Sequence, residues 1–391
     1  MSKRVVLLRY GELFLKSEPV MRQFISALIV SLNRSLKAHD LDAVITTPRG
    51  RIFIEGSLPE KIAELASRIF GVIDVSIALK TENDPDSLAN AAAEIAALKL
   101  KEGMSFAVRP TRQGVPGFSS QELGARVGSE ILNRFPGISV NLSSPDYEIF
   151  VESRPFGGYA YDKRIPGPGG LPSCTQGTVV SLISSGLDSP VASWLMMKRG
   201  CDIIHLHIDG GKWAGPDVLS TAIESHAALS LWAAGVKMEL IVVPAESFYS
   251  DLVSLTNPRY RCIICKRFMY RLGSRITDIT GAYALVTGEN LGQVASQTLS
   301  NLAVISESAN VAVIRPLITN DKTDTIVIAR NIGTFVKGNK DLGCRAVPAR
   351  PATKSTIDEI VKAESKIGIE GHIERAVAEK RSIFALNGEI I

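Results

Sequence analysis

Residues 181–200, SLISSGLDSPVASWLMMKRG, run an apolar strand into Ser184, Ser185, Gly186, Leu187, Asp188 and Ser189, then directly into a helical stretch. Small residues at such a junction let the backbone curl, so several N–H groups of the first helical turn face outward without partners. A turn of this kind attracts an anion, and the Ser184 and Ser189 hydroxyls add ligands for phosphate oxygens. Asp188 suits a Mg²⁺ ion or the positioning of a nucleotide; as a purely structural residue it would be a helix N-cap. No G-x-x-x-x-G-K-[ST] occurs, so the loop is not a Walker A loop.

A second reactive group lies in NPRYRCIICKRFMYRLGSR, residues 257–275, where Cys262 and Cys265 form C-x-x-C among Arg259, Arg261, Lys266, Arg267, Arg271 and Arg275. The pair could be a redox dithiol, half of a zinc site or part of a cluster site. Zinc wants four ligands and no second C-x-x-C exists, which argues against a structural zinc ribbon. Ile264, Phe268 and Leu272 recur at helical spacing, so Arg267, Arg271 and Arg275 share another face. That face reads either as a phosphate-binding surface or as a solvated one. Five cysteines, an odd number, argue against a secreted disulfide framework, and Cys174 and Cys201 read as structural.

These residues need a frame. With 391 residues the chain exceeds one ordinary core and predicts two or three domains. Its 45% hydrophobic and 21% charged content is that of a globular protein. No apolar run approaches the ~18 residues of a membrane span, and the opening MSKRV lacks a signal-peptide core, so a cytoplasmic location without membrane association is expected. The net charge of +4 is mild, so nucleic-acid binding would depend on local patches.

The pattern over 3–10 predicts a strand and that over 19–38 a helix, with Met21, Phe24, Leu28 and Leu32 at helical spacing. Strands at 43–47 and 51–55 flank the turn Thr47-Pro48-Arg49-Gly50, and a helix follows at 59–70. This order fits a ferredoxin-like α+β unit. A second unit follows, with helices at 86–100 and 119–134 and strands at 105–109, 147–153 and 158–162. It carries Arg109, Arg112, Arg126 and Arg134, which form either a solvated face or a binding patch. The Gly/Pro-rich RIPGPGGLPSCTQG, 164–177, marks the clearest boundary. Beyond it, buried strands at 178–183, 203–208, 238–243, 282–287 and 311–314 alternate with helices, predicting a doubly wound parallel sheet with ligands at the strands' carboxyl ends.

The loop resembles the S-G-G-x-D-S pyrophosphatase loop of enzymes that split ATP between its α and β phosphates, with Ser185 in place of a glycine. A Cβ there would clash if φ had to be positive. Together with TGENLGQVASQTLSNL (287–302), IRPLITNDK (314–322) and RYGELFLK (9–16), it resembles the tRNA 4-thiouridine synthetase (ThiI) family. The resemblance implies a ferredoxin-like domain (1–58), a THUMP RNA-binding domain (59–165), a linker (166–176) and a pyrophosphatase-loop catalytic domain of the adenine nucleotide alpha hydrolase type (177–391). Many bacterial members add a rhodanese domain, and a chain ending at Ile391 is expected to be the short form without one.

The activity implied is ATP-dependent thiolation of uridine 8 of tRNA by adenylylation of O4 and sulfur attack at C4, with sulfur supply for thiamine synthesis as a further role. A 2-thiouridine synthetase, a thiamine-only sulfur transferase and a non-catalytic tRNA-binding protein are the alternatives. By resemblance, Ser181, Leu182, His205, Leu206, Lys266, Gly288 and Gln297 contact ATP along with Ser184, Ser185, Gly186 and Ser189. Asp188 and Cys344 are then catalytic, and Arg109, Arg112 and Arg126 contact RNA. His207 is expected to have no ligand role. Cys344 matches the family's catalytic cysteine, and short members with C-x-x-C resemble thiolases that hold an iron-sulfur cluster on three thiolates, here Cys262, Cys265 and Cys344. A persulfide on Cys344, resolved by one of the pair, is the competing reading. The implied partners are tRNA, a sulfur donor (sulfide or a cysteine desulfurase persulfide), a thiamine-pathway sulfur carrier protein and a second copy of the chain in a homodimer.

Overall fold

The computed structural model describes residues 3–12, 17–48, 50–335 and 340–391, and Arg49 of the expected turn and residues 13–16 of the opening stretch lie outside them. It divides into two compact units, Met1–Gly170 and Leu171–Ile391.

The first unit begins with β1 (Lys3–Tyr10), α1 (Glu18–Ala38), β2 (Ala43–Thr46), β3 (Ile52–Gly56), α2 (Pro59–Ala66) and β4 (Val72–Thr81). In α1 the buried residues Phe24, Leu28, Leu32 and Leu36 repeat at three- and four-residue intervals, the stripe that presses a helix onto a sheet. The strands order β2-β3-β1-β4, all antiparallel, the arrangement expected of a ferredoxin-like unit. Then follow α3 (Pro85–Ala96), β5 (Ser105–Arg112), α4 (Ser120–Arg134), β6 (Ser139–Val140), β7 (Tyr147–Arg154), β8 (Gly157–Tyr161) and β9 (Ile165–Pro166). The start of α4 is set by a capping box in which Ser119 and Glu122 exchange hydrogen bonds. Strand β8 pairs with β4, so both halves of the unit share one sheet.

Two sequence expectations need adjustment here. The helices expected at 59–70 and 86–100 stop at Ala66 and Ala96, and Ile69, Phe70 and Leu100 reach the core from turns. The Gly/Pro-rich stretch was expected to leave the strand ladder, yet Ile165 and Pro166 pair with Val75 and Asp74. Proline is tolerated there because β9 is a two-residue strand that lies off the main strand order.

The second unit contains β10 (Thr178–Leu182), α5 (Asp188–Lys198), β11 (Asp202–Asp209), α6 (Val218–Ser230), β12 (Met238–Pro244), α7 (Glu246–Leu255) and α8 (Arg261–Thr280). These are followed by β13 (Ala284–Val286), α9 (Leu299–Ser306), β14 (Ala312–Ile314), α10 (Lys322–Ile332), α11 (Ile357–Glu364), α12 (Ile369–Ala378), β15 (Arg381–Leu386) and β16 (Glu389–Ile390). Strands β14-β13-β10-β11-β12 are parallel, and the hairpin β15-β16 extends the sheet antiparallel beyond β12. The order reverses on either side of β10, which opens a crevice at its carboxyl end. Phe248 stacks on Phe268 in the core that α7 and α8 share, with ring centroids 3.8 Å apart.

Candidate nucleotide and sulfur site

Leu182 ends β10, and Ser184–Leu187 carry the chain into α5. Within the loop Ser184 N donates to Ser189 Oγ at 2.9 Å, Gly186 N donates to Ser184 Oγ at 3.2 Å, and the two hydroxyl oxygens lie 3.0 Å apart. Ser185 is absent from the described non-glycine residues with positive φ, so its Cβ introduces no backbone strain. The glycine that close packing does require is Gly288. A Cβ there would stand 2.7 Å from the carbonyl carbon of Asp188 and from Ser189 N, so only glycine lets the turn after β13 press on the loop.

Asp188 is not the helix cap. Leu187 occupies that position without a side-chain cap, and the Asp188 carboxylate points elsewhere. Lys322 at the start of α10 donates to both its oxygens, and Gln293 Nε2 donates to Oδ2 at 3.0 Å. The start of α5, where a helix leaves backbone N–H groups without intrahelical partners, thus lies beside a carboxylate and an ammonium, the elements of a phosphate-binding loop.

The loop opens into a cavity of about 480 Å³. Of the residues expected from sequence, Leu182, Ser184, Ser185, Gly186, Asp188, Ser189, Leu206, Lys266, Gly288, Gln297 and Cys344 line it. Ser181 and His205 do not. Ser181 is fully buried with its Oγ 2.8 Å from Ser193 Oγ, and His205 pairs Nδ1 to Nδ1 with His226 at 2.8 Å on the helix-covered side. Alternation along a strand explains the correction: His205 and His207 point in one direction and Leu206 in the other, but β11 ends beside the cavity, so only the later histidine reaches it. His207 donates from Nδ1 to Ile183 O, and its buried Nε2 has no partner among the described residues. Gln297 Oε1 is likewise buried and unpartnered among them. Two orphaned polar atoms at one cavity are the mark of a ligand site, because burying them unpaired costs free energy.

Lys266 donates to Glu289 at 2.6 Å, and Glu289 also accepts from Tyr270 and Arg315. Burial opposes ionisation of Glu289, but the charge and hydrogen bond of Lys266, with the bonds from Tyr270 and Arg315, hold it below the usual carboxylate range. Sequence reasoning assigned no role to Lys322, Gln293 or Glu289, although TGENLGQ and ITNDK contain them. The unusual density of polar residues between two short apolar strands was the available signal.

Cys344 lines the cavity. Its segment is fastened by an antiparallel bridge to Ala214, with Gly215 N donating to Gly343 O at 2.8 Å and Arg345 N to Trp213 O at 2.7 Å. Cys262 and Cys265 open α8, and Cys265 Sγ donates to the buried Tyr249 hydroxyl at 3.4 Å. Burial pushes the Cys265 thiol up to about 12, and it feels both Cys344 and Cys262. Burial raises Cys262 as well, again with a contribution from Cys344. Tyr249, the partner of Cys265, lines the same cavity as Cys344. Among the described residues no three His, Cys, Asp or Glu side chains gather as a metal-ion site.

On the arginine face of α8, two of the three arginines are tied to a carboxylate. Arg267 is 1% exposed and bonds Glu364 through Nε at 2.9 Å and through a second nitrogen at 3.0 Å, and Arg271 joins the same carboxylate at 2.6 Å. These residues anchor α11 to α8. In the first unit Arg109 is engaged by Glu148 and by Leu142 O, Arg112 by Val115 O, and Arg126 by Asp86 and Glu130. Arg109 and Arg112 stand on β5 and Arg126 on α4. A buried cluster that sequence reasoning missed joins Arg9, Arg51 and Arg154 to Glu152, which burial would raise but the guanidinium charges hold down to about 2.

Known proteins carry the same plan. The model described as "Thiamine biosynthesis protein (ThiI)" matches residues 174–369, the "ThiI ferredoxin-like domain" matches 5–76, and the THUMP domain matches 82–156. A "Probable tRNA sulfurtransferase" of Methanosarcina mazei is 38% identical over 95% of this chain and 93% of its own length. One of Methanothermobacter thermautotrophicus is 35% identical over 94% of this chain and 95% of its own. The solved structure of a 4-thiouridine synthetase–RNA complex with bound ATP aligns with a TM-score of 0.85 at 28% identity, covering 98% of this chain and 99% of that one. With the loop, the cavity and both units accounted for along nearly the whole length, the chain belongs to the ThiI family.

Proposed function

We propose that the protein is an ATP-dependent tRNA sulfurtransferase that makes 4-thiouridine at position 8. The observation that carries this reading is the cavity at the end of β10, which both a phosphate-type loop and a cysteine line. In the reaction, uridine O4 attacks the α-phosphorus of ATP and pyrophosphate leaves. Sulfur then adds at C4, and the C4–O4 bond breaks to release AMP. The N–H groups at the start of α5, the Ser184 and Ser189 hydroxyls and Lys322 suit the pyrophosphate, while Lys266 and Gln297 suit the rest of the nucleotide. The enzyme's contribution is alignment and neutralisation of phosphate charge.

A Mg²⁺ ion fits at Asp188, since Mg²⁺ takes one or two carboxylates and completes its shell with phosphate oxygens and water. Lys322 pairs with that same carboxylate. An iron-sulfur cluster on three thiolates, each binding a different iron, is the second group this reading implies. Cys262, Cys265 and Cys344 would hold it, and when bound it supplies an open iron for sulfide. Tyr249, hydrogen-bonded to Cys265 beneath the site, keeps that thiol fixed.

The first unit is the RNA-binding part in this reading, with a ferredoxin-like domain followed by a THUMP domain, and the second is catalytic. The sulfur donor is sulfide or a persulfide-bearing desulfurase, delivery to a thiamine-pathway carrier is a further role, and the setting is the cytoplasm. Pyrophosphate release and 4-thiouridine formation, measured with and without tRNA, test the assignment: RNA-independent turnover, or none, overturns it. Iron and acid-labile sulfide assays after anaerobic purification test the cluster, and full thiolation by iron-free protein rejects it.

A further inference from the structure

Glu289 belongs to the cavity wall yet is only 4% exposed. Its Oε1 accepts from Lys266 Nζ at 2.6 Å. Its Oε2 accepts from Arg315 Nε at 2.8 Å, from Thr287 Oγ1 at 3.2 Å and from the Tyr270 hydroxyl. Arg315 is itself fixed by Ser306 Oγ at 2.6 Å and Tyr270 Oη at 3.1 Å. One carboxylate thus ties together a lysine from α8, an arginine just beyond β14 and the turn after β13, and that turn is the one Gly288 presses against the loop.

A free lysine side chain is rich in rotamers and would sample many positions in a cavity of this size. Held by Glu289 through a single hydrogen bond, the Lys266 ammonium keeps two of its three donors for a ligand. The charges also balance in a useful direction. Lys266 and Arg315 carry two positive charges against the single negative charge of Glu289, so this group of three retains one net positive charge for an anionic ligand.

We propose that Glu289 is a positioning residue for nucleotide binding, acting through Lys266. The inference rests on the reading of Lys266 as an ATP contact. Glu289→Gln, Lys266→Met and the double variant of the full-length protein, assayed for pyrophosphate release with tRNA, test it. Each single change is expected to raise the KM for ATP about tenfold or more, with the KM for tRNA and the melting temperature near wild type. The double variant is expected to be no worse than Lys266→Met alone, because both changes remove one interaction. Losses that multiply in the double variant, or an unchanged KM for ATP in Glu289→Gln, would overturn the proposal in favour of a purely structural carboxylate. An unchanged KM for ATP in Lys266→Met would also overturn it, while loss of turnover in Asp188→Ala in the same assay would leave the broader enzyme assignment standing. If Glu289→Gln does not fold, Glu289→Asp keeps the charge and withdraws it by one methylene. The same rise in KM for ATP is then expected, and its absence counts against the proposal.

Discussion

Lys322 Nζ lies 2.7 and 2.9 Å from the two carboxylate oxygens of Asp188, a residue 134 positions earlier in the chain. The pair brings the first turns of α5 and α10 together at the mouth of the phosphate loop. Either partner can be exchanged for a ligand: a cation can replace the ammonium at Asp188, and a phosphate can take over the ammonium. Asp188→Ala and Lys322→Met are each expected to cut pyrophosphate release by about 100-fold or more, the scale seen when a preorganised charge is removed from a reacting centre. Filter binding of tRNA should stay within about threefold of wild type, because recognition is assigned to the first unit. Lost RNA binding in either variant contradicts that division of labour.

Gly288→Ala should be far more damaging than its size suggests. The new methyl must displace the backbone at Asp188 and Ser189, at a cost of about 1 to 3 kcal/mol for overpacking. Thiolation should fall more than tenfold. Ser185→Gly is the control: with no positive φ to relieve, activity should be preserved within about threefold. Equal effects of the two changes would show that backbone contact at 288 is unimportant.

His205 and His226 meet inside the second unit, and burial holds His226 down to about 4 and His205 below its ordinary value. The folded state therefore binds fewer protons than the unfolded chain between pH 4 and 6.5. Stability from this pair is fully present above pH 6.5 and falls as pH drops through that window. Urea midpoints at pH 7 and pH 5 should show the loss, and His226→Phe should flatten the difference between them. An unchanged slope in that variant would remove the pair from the account.

Glu364→Ala leaves the buried Arg267 with Glu307 and a backbone carbonyl as its remaining partners. Stripping one partner from a buried ion pair costs about 3 kcal/mol or more. A clear fall in the urea midpoint is expected, with tRNA affinity unchanged. A drop in RNA binding without loss of stability would restore the cationic-face reading of α8.

Local sequence carried the strands and helices because their signals are local. The spacing of Phe24, Leu28 and Leu32 marks a helix whatever surrounds it, and Ser119 with Glu122 marks where one starts. The loop at 184–189 was legible for the same reason, since small residues between an apolar strand and a helix leave the backbone one sensible course. The fate of charges was not legible in that way. Arg267, Arg271 and Arg275 look alike in sequence, yet the first two meet Glu364, which is 97 and 93 residues away.

By itself, then, the sequence determined the ferredoxin-like opening, the five parallel strands of the second sheet and the anion-seeking turn, all consequences of periodicity and backbone sterics. Tertiary packing alone decided that Lys322 meets Asp188, that Glu289 restrains Lys266, that His207 rather than His205 faces the cavity, and that Cys344 lines the same cavity as Tyr249, the partner of Cys265. Charge pairing and burial act through space, over separations that spacing along the chain does not encode.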